Sequence, residues 1–255
     1  MIDLHCHLLP GIDDGPATMA ESLLLAQAAV ADGTGTMVAT PHVNERYPNS
    51  ADSIRALVTS LEGALAAAAL QLEIRPGAEI AMTVAAGLPD ETLAGLTLGG
   101  GGWLLLEPPF VLVSPALEGV VADVMDRGFR VVVAHPERCP VFLRDRSQLE
   151  RMVEAGAGTA VTAGALDGRF GRDVRRFALK LAGDGLMHCV TSDAHDDRRR
   201  PPTVSKEVER AGLGHLARWL TEEVPSAILA GAEIPPRPSE ADERSARRGR
   251  RWLRS

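Results

Sequence analysis

Two histidines separated by one residue end a short apolar run at the start of the chain, Met1-Ile2-Asp3-Leu4-His5-Cys6-His7. Residues two apart in a β-strand face the same way, so His5 and His7 can converge on one point while Cys6 faces the other side. Pro10-Gly11 then turns the chain and brings Asp13 and Asp14 back towards the strand end. Imidazoles and a carboxylate gathered there are the start of a metal site. Alone, the pair reads equally well as a turn cap beside solvated acids. What decides between the two is whether other strand ends supply further ligands.

They do. Met37-Val38-Ala39-Thr40-Pro41 leads to His42, Gly77-Ala78 to Glu79, and Leu104-Leu105-Leu106 to Glu107. Val131-Val132-Val133-Ala134 leads to His135-Pro136-Glu137-Arg138, and Thr191-Ser192 to Asp193-Ala194-His195. Five of the 7 histidines thus fall at strand ends, where a parallel α/β barrel gathers its active site. His5, His7, Asp14, His42, Glu79, Glu107, His135, Asp193 and His195 are therefore the candidate ligands of a multinuclear centre. Imidazoles and carboxylates without thiolates suit manganese, iron or zinc, which acidify water and clamp both sides of an in-line displacement. Arg138 and Arg200 stand close enough in sequence to grip a phosphate, whose oxygens match the guanidinium fork.

Other reactive residues find bland places. His188 reads as a core histidine inside its strand, His215 as a helix-surface one, and Arg198 and Arg199 as a solvated loop. Cys139 lacks the cysteine-phosphatase loop, since Asp145 stands where that loop needs arginine. No serine occupies a nucleophile elbow. Covalent catalysis by either side chain is not indicated.

The elements that must position these residues alternate. Strands are expected at Ile2–His5, Thr36–Ala39, Leu72–Gly77, Trp103–Glu107, Arg130–Ala134, Thr159–Thr162 and Met187–Thr191. Helical periodicity covers Met19–Ala31, Ser53–Ala69, Pro115–Arg127, Ser147–Ala155 and Asp173–Ala182, with a short helix within Thr83–Thr92. Ser205–Arg210, Leu213–Leu220 and Pro225–Ala230 read as closing helices. Seven strands alternating with helices predict parallel βα units, and no nucleotide-binding glycine fingerprint follows any strand, which favours a barrel over an open sheet.

At 255 residues, 45% hydrophobic and 24% charged, the chain suits one large domain. The domain is expected over 1–234. Pro235-Pro236-Arg237-Pro238 then opens a Pro/Arg-rich tail, 235–255, with no apolar period and an expectation of disorder. Trp252-Leu253 among its arginines could touch an anionic surface. A net charge of -7 argues against nucleic acid as a partner. No apolar run is long enough for a transmembrane segment, and three cysteines without CxxC spacing argue against a disulfide framework. A cytoplasmic location is expected.

These motifs in order resemble the polymerase-and-histidinol-phosphatase (PHP) superfamily, and more narrowly its bacterial capsule-associated protein-tyrosine phosphatases. His5-Cys6-His7, Gly11 to Gly15, Ala39 to His42, Gly77 to Glu79, His135 to Arg138, Ser192 to His195 and Arg200-Pro201-Pro202 carry the resemblance, which runs from Met1 to about Gly231. It implies a distorted (β/α)7 TIM-like barrel and three divalent ions, usually manganese. By motif, His5, His7, Glu79 and Asp193 would hold one ion. Glu79, Glu107 and His135 would hold a second, and Asp14, His42 and His195 the third. Arg138 and Arg200 would grip the phosphate, and Asp13 is left as an outer hydrogen-bonding group or a proton donor. A metal-bridging hydroxide would attack phosphorus directly, with no phosphoenzyme.

The implied partner is a phosphotyrosine-containing protein, the tail of a tyrosine kinase regulating capsular or exopolysaccharide biosynthesis. A small phosphorylated metabolite such as histidinol phosphate is the alternative substrate, and a vestigial regulatory site ranks last because no ligand is missing. The resemblance departs at Val43-Asn44-Glu45-Arg46-Tyr47, where relatives often carry further histidine and aromatic residues. It departs again at Gln27, where some have an arginine in a ring-building helix, so oligomerisation is possible but a ring is not implied.

Overall fold

The computed structural model describes residues 1–111 and 117–239. Its strands pair only in parallel, in two sheets. One has the order β1-β2-β4, from β1 (Ile2–Cys6), β2 (Thr36–Ala39) and β4 (Glu73–Pro76). The other has the order β3-β5-β6-β7-β8-β9. Its members are β3 (His42–Val43), β5 (Glu79–Ala81), β6 (Trp103–Glu107), β7 (Arg130–Ala134), β8 (Gly158–Thr162) and β9 (Cys189–Thr191).

The second and third expected strands, Thr36–Ala39 and Leu72–Gly77, are each followed by a short strand that the sequence reading did not foresee. The second breaks at Thr40-Pro41, where proline has no N–H for a ladder, and resumes as β3. The third, expected as Leu72–Gly77, breaks at Gly77-Ala78, and Glu79 opens β5 instead of closing the strand. A β-carbon on Gly77 would come within 2.7 Å of Val38 Cγ1, so the two broken strands press together at this point. After each break the chain changes sheet, and β3 pairs with β5 with His42 opposite Glu79. The two sheets form no single closed ladder among the described residues. At their far edges the Asp193 N–H donates to the His5 carbonyl at 2.9 Å, and the His7 N–H to the Ala194 carbonyl at 2.9 Å.

Strand interiors are buried on both faces, as parallel sheets under helices require: Trp103 to Leu106 and Val131 to Ala134 are all at or near zero exposure. Each such Leu or Val is worth about 1.5–3 kcal/mol of burial. Helices cover the outside. Met19–Asp32 starts at a capping box between Thr18 and Glu21 and ends on left-handed Gly33. Ala51–Ala67 is capped by Ser50 and starts two residues before the expected Ser53. Ser147–Glu154 and Arg172–Gly183 lie where periodicity puts them. The expected short helix of Thr83–Thr92 is two, Met82–Ala85 and Asp90–Gly95, parted before Pro89. Pro115 lies outside the described residues, and that helix runs Leu117–Asp126.

The expected break between Leu220 and Pro225 is not there. A π-helical stretch, Trp219–Glu223, runs straight into the helix Val224–Leu229. Pro225 lacks an N–H and its ring crowds the carbonyl four residues back, and the wider π turn absorbs both without ending the helix.

Beyond Gly231 the chain runs without regular structure across the N-terminal ends of the strands. The Trp103 and Trp219 indoles donate to the carbonyls of Ala232 and Pro235, each at 3.1 Å, and Arg237 Nη1 donates to the Ala182 carbonyl at 2.5 Å. Pro235 to Arg237 are thus held to the domain. Arg244, Arg247, Arg248, Arg250, Arg251, Trp252, Leu253 and Arg254 lie outside the described residues. No helix among the described residues is long and apolar enough to cross a membrane.

Candidate metal centre

The nine candidate donors named from the sequence come together at the ends of β1, β6, β7 and β9 and the starts of β3 and β5, in four overlapping groups. These are His5, His7 and Asp193; His5, Glu79 and His135; His42, Glu79 and Glu107; and His7, Asp14, His42 and His195. Glu79 sits at the centre. Its Oε1 lies 2.8 Å from His135 Nε2 and 3.3 Å from His5 Nε2, and its Oε2 lies 3.2 Å from His7 Nε2 and 3.0 Å from His42 Nδ1. Asp193 Oδ1 approaches His5 and His7 at 3.5 and 3.6 Å. Asp14 Oδ1 lies 3.3 Å from His195 Nε2 and 3.5 Å from His42 Nε2. Glu107 is the outlying member, 3.7 Å from His42 and 3.8 Å from His135.

Local backbone aims these groups. His135 and Asp193 directly follow β7 or sit just past β9 with φ of 30° and 50°, left-handed values that L-residues adopt at a cost of about 1–3 kcal/mol. Gly15 packs so close that a β-carbon there would lie 2.6 Å from the His7 carbonyl. That approach folds the Gly11–Gly15 turn onto His7. Asp13 Oδ2 consequently pairs with His7 Nδ1 at 2.6 Å and also accepts the His42 N–H, while Oδ1 accepts the Gly15 N–H. Both Asp13 oxygens are taken, and its side chain is only 1% exposed.

The donor set fits divalent cations. His42 Nδ1 and Glu79 Oε2 lie 3.0 Å apart, yet both are buried without a hydrogen bond. His5 Nε2 and His7 Nε2 converge to 3.3 Å. Buried lone pairs directed into a shared space are what a bridging cation needs. Electrostatics agree. Burial would raise the Glu79 pKa, but His5, His135 and His42 around it hold it well below the carboxylate range. Burial likewise opposes ionisation of Asp193, and His5 and Arg200 override it. Glu107 goes the other way, pushed up to about 8 by burial and by the charge of Glu79. Burial disfavours a charged His7, but Asp13 and Glu79 hold its pKa well above the usual value.

Arg138 Nη1 and Arg200 Nη2 both reach Asp193 Oδ2, at 2.7 and 2.5 Å. They form a cationic edge on the cluster, and both are partly exposed. His188 lies one residue before β9 at the opposite end, beside Thr159 and Trp219, and His215 contacts the Gly212 carbonyl. Neither belongs to the cluster. Cys6, Cys139 and Cys189 are buried and free.

The sequence reading missed Phe110 and Phe170. Arg138 lies 4.8 Å from the centre of one ring and 4.3 Å from the other, and Phe110 stacks on His135 at 5.2 Å. Phe110 follows Glu107-Pro108-Pro109, and a bulky aromatic just past a strand-end acid was the available signal.

Residues 1–223 match the family described as "Capsular polysaccharide synthesis, CpsB/CapC". The chain belongs to the CpsB/CapC family. It is 37% identical to the tyrosine-protein phosphatase YwqE of Bacillus subtilis over 204 residues, 78% of this chain and 79% of that protein. It is 29% identical to the tyrosine-protein phosphatase CapC of Staphylococcus aureus, a putative assignment there, over 79% of each. Its fold superimposes with a TM-score of 0.82 and 34% identity on a chain from the crystal structures of B. subtilis YwqE and Streptococcus pneumoniae CpsB, described as unique metal-dependent tyrosine phosphatases. That match covers 94% of this chain and 99% of the other.

Proposed function

We propose that this CpsB/CapC chain is a metal-dependent phosphotyrosine-protein phosphatase of capsular or exopolysaccharide synthesis. The observation that carries the reading is the meeting of Arg138 and Arg200 on Asp193 at the edge of the donor cluster. Its substrate is the phosphotyrosine tail of a tyrosine kinase that regulates that synthesis, and it works in the cytoplasm. We read the two sheets as one distorted (β/α)7 barrel whose second and third strands are each broken, as β2/β3 and β4/β5. The domain takes in 1–234, and Pro235 opens the tail that crosses its base.

Three divalent ions, manganese first, are assigned to His5, His7, Glu79 and Asp193; to Glu79, Glu107 and His135; and to Asp14, His42 and His195. Bound there, they supply an acidified water and positive charge for phosphoryl transfer. The chain's own groups do the rest. Arg138 and Arg200 orient the phosphate with guanidinium N–H groups not used on Asp193. Asp13, with both oxygens engaged, fixes the His7 ring and is a positioning residue, not the proton donor. A phenolate leaving group, with a conjugate-acid pKa near 10, needs less protonation than a serine alkoxide. Access favours a protein over a small metabolite: Asp14 is 46% exposed at the cluster's edge and Phe110 likewise at the rim.

The test is chelation. Protein stripped of metal should release no phosphate from a phosphotyrosine peptide and regain turnover with Mn2+. Undiminished turnover of verified metal-free protein would overturn the reading.

A further inference from the structure

The guanidinium of Arg138 lies over two phenyl rings, with its central carbon 4.8 Å from the centre of Phe110 and 4.3 Å from that of Phe170. The rings come from separate places: Phe110 from the loop after β6, and Phe170 from the turn before the Arg172–Gly183 helix. A cation on aromatic faces is held in a fixed plane, and Arg stacks this way better than Lys because its guanidinium is flat. Phe170 is partly buried against the core, but Phe110 is 46% exposed and its neighbour Val111 59%. So large an apolar surface at the lip of a polar site, with its ring already stacked on His135, invites an aromatic ligand.

We propose that Phe110 is the specificity-determining residue that selects aryl over alkyl phosphoesters, with Phe170 as the positioning residue that also holds Arg138. The inference rests on the phosphatase reading above. A phosphate held by Arg138 puts its ester group next to the Phe110 ring. An aryl group gains a stacking contact there that an alkyl chain cannot make. Discrimination between phosphotyrosine and phosphoserine is then built from a ring at the rim, not from depth of the pocket.

The test compares wild type, Phe110→Leu, Phe110→Tyr and Phe170→Leu, all loaded with manganese and checked for metal content. Two readouts are used: kcat/KM on phosphotyrosine and phosphoserine peptides, and Kd for phenylphosphonate and ethylphosphonate, which are not hydrolysed. In Phe110→Leu the aryl-to-alkyl ratio should fall about three- to tenfold in both readouts, the size of one aromatic pair. Phe110→Tyr should restore it. Phe170→Leu should weaken both classes alike. Equal losses on both classes in Phe110→Leu, or an unchanged ratio, would overturn the assignment while leaving the phosphatase reading intact. A wild type with no aryl preference would overturn both.

Discussion

Asp193 joins the two halves of the site. One oxygen faces His5 and His7, and the other is held by Arg138 and Arg200. The halves should respond differently to mutation. His7→Ala or Asp193→Ala should lose bound metal, read by elemental analysis, with turnover down more than about a hundredfold. Arg138→Ala should keep its metal and lose about ten- to a hundredfold in kcat/KM, as expected for one charged hydrogen bond to phosphate. An apo protein in that mutant would contradict its role. Asp13→Asn should weaken metal affinity about ten- to a hundredfold through the His7 ring, with substrate affinity of the reloaded protein little changed. That these nine side chains converge was legible because a strand's period of two and a recurrent strand end fix where most of them point, and the Pro10-Gly11 turn brings Asp14 back to them. Phe110 and Phe170 were not, since loop aromatics follow no period and pack by tertiary contact alone.

Among the elements, the seven expected strands were legible and the short strands β3 and β5 were not. Thr36–Ala39 and Trp103–Glu107 agree with the sequence reading residue for residue. The break at Gly77 depends on Val38, a residue far away in sequence, and no local pattern announces it. Gly77→Ala should therefore cost about 1–3 kcal/mol of overpacking, seen as a lower urea midpoint at constant m-value. It should also disturb the Glu79 position, since only Ala78 separates the glycine from β5. Pro225 misled in the opposite sense, because its local breaking tendency is absorbed by a π turn.

Over the whole molecule, the end of the sheets opposite the candidate metal centre is covered by the segment that follows Gly231. A cavity of about 550 Å³ there is lined by Trp103, Trp219, His188, Arg130, Glu233 and Arg237. Burial pushes the His188 pKa down to about 4 from 6.5. The unfolded chain binds that proton first, so its contribution to stability is full above pH 6.5 and is lost as pH falls towards 4. Between pH 7.5 and 5.5 the loss should be about 1 kcal/mol, and His188→Gln should remove that part of the pH dependence in urea unfolding. Composition suggested a loose tail from Pro235. Of that tail, Pro235 is held by the Trp219 indole and Arg237 by the Ala182 carbonyl, pairing visible only once the fold is known, and 240–255 lie outside the described residues.

The most direct test of the account is a comparison of kcat/KM for the manganese-loaded protein on a phosphotyrosine peptide, the matching phosphoserine peptide and histidinol phosphate. The account predicts the phosphotyrosine peptide first, by at least about tenfold. Preference for histidinol phosphate would contradict it.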